Sequence, residues 1–203
     1  MQASMPSPIG HALAGIAVAL VGDRRSPADG AWRFLSRPLT LCSVGLATLP
    51  DADLLFTGVH RTVTHSVGAT ILVIIVTIAV TGWVTRGASV PISHPSQPPG
   101  HEDSKKRRSV RWGAVWVLAA AHASHLLADW LGTDLSAPSG IQAFWPFSHG
   151  WFISRWHVFL QLDRRDMFSL ATIAMNMRAI LWEVVLLGPI VGVLWWLRRP
   201  VAR

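Results

Sequence analysis

Residues Ser66 to Thr85 read SVGATILVIIVTIAVTGWVT, twenty consecutive positions without a charge. As a helix this stretch is about 30 Å long, the thickness of a bilayer's hydrocarbon core. The rest of the chain agrees with a membrane setting. Of its 203 residues, 51% are hydrophobic and only 14% are charged, and there are 11 Trp but no Tyr. A soluble domain carries about 25% charged residues, so composition argues against a water-soluble fold and an all-α, polytopic membrane protein is expected.

Two further stretches reach spanning length. Ala179 to Leu197 is apolar except for Glu183 and is followed by Arg198 and Arg199, while Trp112 to Leu131 contains His122, His125 and Asp129. Ile9 to Val21 and Leu39 to Leu49 are too short to cross alone and are expected to be tilted, re-entrant or packed against the others. The sequence therefore predicts one membrane-embedded helical domain over residues 1–203. It has three full transmembrane helices plus two short or re-entrant apolar helices around a polar site. The N-terminal run has no basic residues before it and opens on a histidine, so it is expected to belong to the mature protein.

The net charge of +7 raises the question of nucleic acid, but the distribution argues against it. Four basic residues lie in 22–38, six between Arg86 and Arg111 and three after Leu197, thirteen of the 18 in three segments. The positive-inside rule places these segments in the cytoplasm, with anionic lipid headgroups as their partner and no nucleic acid. Five alternating segments then give an outside N-terminus and an inside C-terminus. His11, Asp51 to His65, and His125 with Asp129 all meet at the outer face of a bacterial or archaeal cytoplasmic membrane. The stretch 86–111 is expected to be a disordered basic loop, its Pro91–Ser109 part rich in Pro, Ser and charge, with His94 and His101 as bystanders. The loop 132–178, with Trp145, Trp151 and Trp156, suits the headgroup region and is expected to include an interfacial helix within 155–178. Cys42 is the single cysteine, so any metal site must use nitrogen and oxygen.

Three patterns carry chemistry. His122, His125 and Asp129 fall on one helical stripe roughly 60° wide. His125 and Asp129, one turn apart, have the spacing with which a helix offers imidazole and carboxylate to one zinc-like ion. Ionisable residues in a span are costly and mark function. A polar hydrogen-bonded seam between helices is the plainer alternative, and His122, the deepest, is the one most suited to it. Next, Leu49-Pro50-Asp51-Ala52-Asp53 ends an apolar run with two carboxylates. Only one of them is expected to face a given ion, with the other behind a ligand or on a second ion. The third pattern is His60-Arg61-Thr62-Val63-Thr64-His65-Ser66, in which Thr64 or Ser66 can cap the following helix. His65 and His60 are candidate ligands, and Arg61 can clamp a phosphate or carboxylate. Gly10-His11 adds a further histidine at a helix start.

Gly10-His11, Leu49-Pro50-Asp51-Ala52-Asp53, His60-Arg61-x-x-Thr64-His65-Ser66, and Ser124-His125-Leu126-Leu127-Ala128-Asp129 with Thr133 and Trp145-Pro146 occur in that order over roughly residues 5–150. In this the chain resembles the YdjM-like family of membrane-bound, metal-dependent hydrolases, some bacterial members of which are regulated by the SOS repressor. More distantly, the ligand order is similar to that of zinc-dependent phospholipase C. That likeness implies His11, Asp53, His65, His125 and Asp129 as ligands, Asp129 able to bridge two ions, and His149, His157 and Glu183 as looser counterparts of the remaining ones.

The resemblance implies a hydrolase using metal-activated water on a phosphoester or related bond, with one or two divalent ions, zinc foremost. In such a site Asp51 is the candidate general base and Arg61 the candidate stabiliser of phosphoryl charge, with Thr64, His122 and Glu183 supporting from behind. A lipid or lipid-linked phosphate is the expected substrate, because the cluster lies at the membrane surface. The rival readings are a metal-stabilised scaffold without catalysis and a transporter with a polar path. The latter predicts internal repeats, and none is evident.

Overall fold

Helices begin and end where the sequence supplies caps and breakers. The computed structural model describes residues 3–4, 6–23, 30–55, 61–87, 101–164 and 166–199. Helix α1 (Pro8–Gly22) starts on a proline whose missing N–H costs nothing at that position, and the Ser7 hydroxyl caps it by accepting from the Gly10 N–H. A short α2 (Ala31–Leu35) precedes α3 (Pro38–Thr48), also opened by a proline. At Leu49-Pro50 the chain tightens into a 3-10 turn, Leu49–Leu55, and a second one covers Val63–His65. Of the two candidate caps for α4 (Val67–Gly87), Ser66 takes the role, its hydroxyl accepting from the Ala69 N–H at 3.1 Å. The long helices α5 (His101–Trp130) and α6 (Leu170–Arg198) complete the bundle, α6 capped by Ser169. The strands β1 (Ala3–Ser4) and β2 (Leu162–Asp163) pair antiparallel and staple the N-terminal segment to the loop before α6.

Helix α1 packs on α3, α5 and α6, and α5 packs on α1, α3 and α4. Successive apolar helices reverse direction, so the start of α1, the end of α3, the start of α4 and the end of α5 share one end of the bundle. Helix α5 is sorted by its periodicity. Trp116, Leu127 and Trp130 face outward, whereas Val115, Ala119, His122, His125 and Asp129 are buried.

Among the described residues, the windows Val67–Val84 and Leu170–Arg198 are long and apolar enough to cross a membrane, and Pro8–Gly22 is a shorter apolar helix. The expected 66–85 span matches α4. The last span is longer than expected. Helix α6 starts at Leu170 instead of Ala179, while 155–169 contains no helix among the described residues. The interfacial helix expected within 155–178 is therefore not formed. Its last nine positions open α6, because Ser169 supplies the cap and Asn176 turns inward to bond both the N–H (2.8 Å) and the C=O (2.7 Å) of Asp163. The expected basic loop 86–111 also needs correction. Residues 88–100, including His94, lie outside the described residues, but α5 already begins at His101. Lys, Arg and Glu are good helix formers and here extend a helix that the apolar half stabilises by packing.

The approach of α1 to α3 holds the bundle's polar end in register. A Cβ on Gly15 would lie 2.8 Å from the Ser43 carbonyl oxygen and 3.0 Å from Val44 Cα and Ala47 Cβ. These are mostly backbone atoms, which cannot move aside. Gly15→Ala is expected to lower stability by about 1–3 kcal/mol through forced separation of the helices. Gly45→Ala on α3 meets nothing within 4 Å and should raise stability by up to about 1 kcal/mol. Thermal melting of the detergent-purified variants checks this, and equal melting of the two would contradict the packing.

Candidate metal centre

Four elements reaching the polar end deliver the donors, α5 two of them. His11 lies in the first turns of α1, Asp51 on the 3-10 turn after α3, His65 just before α4, and His125 with Asp129 on the last turns of α5. Asp129 sits in the middle. Its Oδ1 lies 3.3 Å from His11 Nε2, and its Oδ2 lies 3.2 Å from both His65 Nε2 and His125 Nε2. The Asp51 carboxylate closes the group at 3.8 Å from His11, 3.6 Å from His65 and 3.9 Å from His125. The rings of His11 and His125 stack with centroids 3.9 Å apart. Three imidazoles and Asp129 are 0–1% exposed, and Asp51 is 13% exposed.

The far side of each ring decides which nitrogen faces the cluster. His125 Nδ1–H donates to the Ala47 carbonyl at 2.8 Å, a bond that leaves Nε2 pointing inward. His65 Nδ1 lies 3.2 Å from Asp53 Oδ2, which also accepts from the Thr64 hydroxyl at 2.6 Å and from the Arg61 N–H at 3.1 Å. This carboxylate–imidazole pairing is how a metal-ligating histidine is usually oriented. Burial works against a charged His65, but the neighbouring carboxylates of Asp129, Asp51 and Asp53 outweigh it and hold its pKa well above the ordinary value. Carboxylates of Asp51, Asp53 and Asp129 thus face His65 at 3.2–3.6 Å.

The donor set fits a divalent cation. One atom each from His11, Asp51, His125 and Asp129 can be chosen so that all lie within 4.8 Å of one another. His11 Nε2, His125 Nε2, Asp51 Oδ2 and both Asp129 oxygens are buried yet make no hydrogen bond of good geometry. Buried polar atoms left this way are rare and costly. A mixed imidazole and carboxylate set suits zinc and its neighbours among the transition metals.

The structure separates the two aspartates of the Leu49–Asp53 motif. Asp53, implied as a ligand, backs His65, while Asp51, the candidate general base or supporting residue, lies beside the cluster's histidines at 3.6–3.9 Å. The 3-10 geometry turns the two side chains to different faces, so only one reaches the centre, and it is the first. Arg61 is not free to clamp a substrate. Its guanidinium pairs with Asp134, donates to Ser136 Oγ at 3.0 Å and lies 5.7 Å from the Trp151 ring centroid. Its backbone is held at φ 63° between Asp53 and the Gln142 N–H. His122 Nδ1 meets Thr70 Oγ1 at 2.9 Å and belongs to the α4–α5 seam. Glu183 stays outside the cluster. It accepts from the Ser7 N–H at 2.7 Å and from the Ser7 hydroxyl, and it occupies the space that a side chain on residue 10 would need. His149 and His157 are exposed, and His60 lies outside the described residues. Nothing local in the sequence marks Asp134 and Ser136, because an Asp-x-Ser turn carries no sign of an arginine 73 residues away.

Asp53→Asn is expected to weaken metal affinity by about 10–100-fold while keeping the stoichiometry. Arg61→Ala should instead cost about 3–5 kcal/mol of stability by leaving Asp134 buried without its partner. Metal titration and thermal melting of the two variants separate the roles, and an unchanged affinity in Asp53→Asn would remove it from the support of His65.

A sequence profile of the YdjM inner membrane protein family matches residues 5–201. No curated protein and no solved structure matches the chain. With nearly its whole length covered, and with two helices apolar and long enough to cross a bilayer, the chain belongs to the YdjM family of inner membrane proteins.

Proposed function

We propose that this protein is a multi-pass, metal-dependent hydrolase of the inner membrane, with α5 as a third span and the cluster at the outer face. The observation that carries the reading is the convergence of His11, Asp51, His65, His125 and Asp129 around buried donor atoms. Zinc is the proposed ion. Asp129, with Oδ1 toward His11 and Oδ2 toward His65 and His125, would hold the ion together with those histidines. A bound divalent ion supplies a Lewis acid that brings the pKa of a water toward neutrality and polarises a phosphoryl oxygen.

The chain's own residues would do the rest. Asp51 is the least enclosed of the cluster, so water and substrate approach past it, and its carboxylate is the group placed to accept the proton of the attacking water. The same 3-10 turn exposes Leu49 and Leu55, and Phe147 and Phe168 are exposed on the nearby loop. Such an apolar rim suits the headgroup zone, and on that ground the proposed substrate is a lipid headgroup or a lipid-linked phosphoester.

The near-complete enclosure of the other four residues favours one second reading, a metal-stabilised membrane scaffold without turnover. Purification in detergent, metal analysis and assay against phospholipids and lipid-linked phosphates tests both. The hydrolase reading expects one or two ions per chain and turnover that a chelator abolishes and zinc restores. It also expects Asp51→Asn to be slower by about 10²–10⁴-fold. Metal without turnover on any substrate would favour the scaffold, and no metal in the wild type, or unchanged metal in His125→Ala/Asp129→Ala, would sink both. A cysteine at Ser139 in a Cys42→Ser background, labelled by an impermeant maleimide in intact cells, reads the orientation.

A further inference from the structure

Helix α6 has two faces of opposite character. Thr172, Ala179 and Glu183 are buried toward the bundle, whereas Arg178, Leu181, Trp182 and Val185 point away from it. On the outward side the loop arm before β2 lies along the helix, held there by the Trp182 indole N–H donating to the Val158 carbonyl at 2.9 Å. Arm and helix enclose a groove of about 540 Å³ whose lining is apolar, from Leu160, Ala174, Leu181 and Val185, apart from one cation, Arg178.

The position of that cation along the helix matters. Arg198 closes α6 twenty residues further on, which at 1.5 Å per residue is about 30 Å, the thickness of the hydrocarbon core. Exposed tryptophans stand just inside both arginines, Trp182 at one end and Trp196 at the other, as interfacial anchors do. Arg178 and Arg198 therefore bracket the core, with Arg178 at the level of lipid phosphates and the Leu181–Val185 part of the groove running beneath it toward the hydrocarbon.

We propose that this groove is a binding site for one anionic phospholipid, its phosphate on Arg178 and an acyl chain along Leu181 and Val185. The site rests on the membrane placement of α6 and is independent of any metal chemistry. Charge complementarity commits the occupant. A second groove of about 460 Å³, between α1, α5 and α6, is lined by Val18, Trp116 and Leu194 with no charged residue, and so has nothing to select a headgroup.

Native mass spectrometry of the full chain, equilibrated with phosphatidylglycerol or with phosphatidylcholine of the same acyl chains, tests the proposal. The wild type is expected to retain phosphatidylglycerol with about fivefold preference, the contribution of one arginine near the headgroups. Arg178→Ala should abolish that preference and Leu181→Trp should reduce retention by filling the groove, both with unchanged melting and metal content. Val18→Trp in the uncharged groove should keep the preference. Equal retention of the two lipids by the wild type, or a preference that survives Arg178→Ala, would overturn the site. So would a dimer of the chain that Leu181→Trp dissociates, which would give the groove to a second copy.

Discussion

A carboxylate enclosed at the end of an apolar bundle is the constraint on which the rest of the structure depends. Asp129 is 1% exposed, and the transfer of such a group out of water is prohibitive unless it is paired or bound to a metal. Three imidazoles converge on it from three different elements, each within about 3.3 Å. The rings of His11 and His125 stack against each other in the same enclosed space. The divalent cation proposed above would satisfy carboxylate oxygens and imidazole nitrogens at once.

Around that centre the fold spends its polar groups on orientation. The Ala47 carbonyl at the end of α3 sets the His125 ring, and Asp53 with Thr64 sets His65. Glu183 clamps Ser7, the cap of the helix that carries His11, so the last helix contributes to the site without touching it. Arg61 and Asp134 tie the His65 segment to the loop after α5, and that loop also receives the Val67 N–H on the Ala143 carbonyl at 2.8 Å. The site is thus framed by backbone carbonyls and buried side chains on rigid elements, the arrangement that keeps donors within reach of one point.

Helix α6 shows how membrane and site share one element. Its buried face carries Glu183 to the polar end, and its exposed positions carry Arg178, Trp182 and Trp196. The two sets interleave without conflict because 3.6 residues per turn place them on opposite sides.

What the sequence determined by itself was whatever depends on near neighbours. Twenty uncharged residues mark α4, and the His122–His125–Asp129 stripe marks one face of α5, since helical periodicity acts within a turn or two. The alternating direction of five apolar segments even placed His11, Asp51, His65 and Asp129 at one end. Tertiary structure alone decided which of Asp51 and Asp53 enters the cluster, because the 3-10 turn after Pro50 rotates them to different faces and their partners come from distant segments. It also withdrew Arg61 from the centre, since its partner Asp134 lies 73 residues away, and it turned Glu183 to the cap of α1. Spacing reports which residues share a face, but the assignment of a buried charge follows from the other charges packed against it, and those are brought together only by the fold.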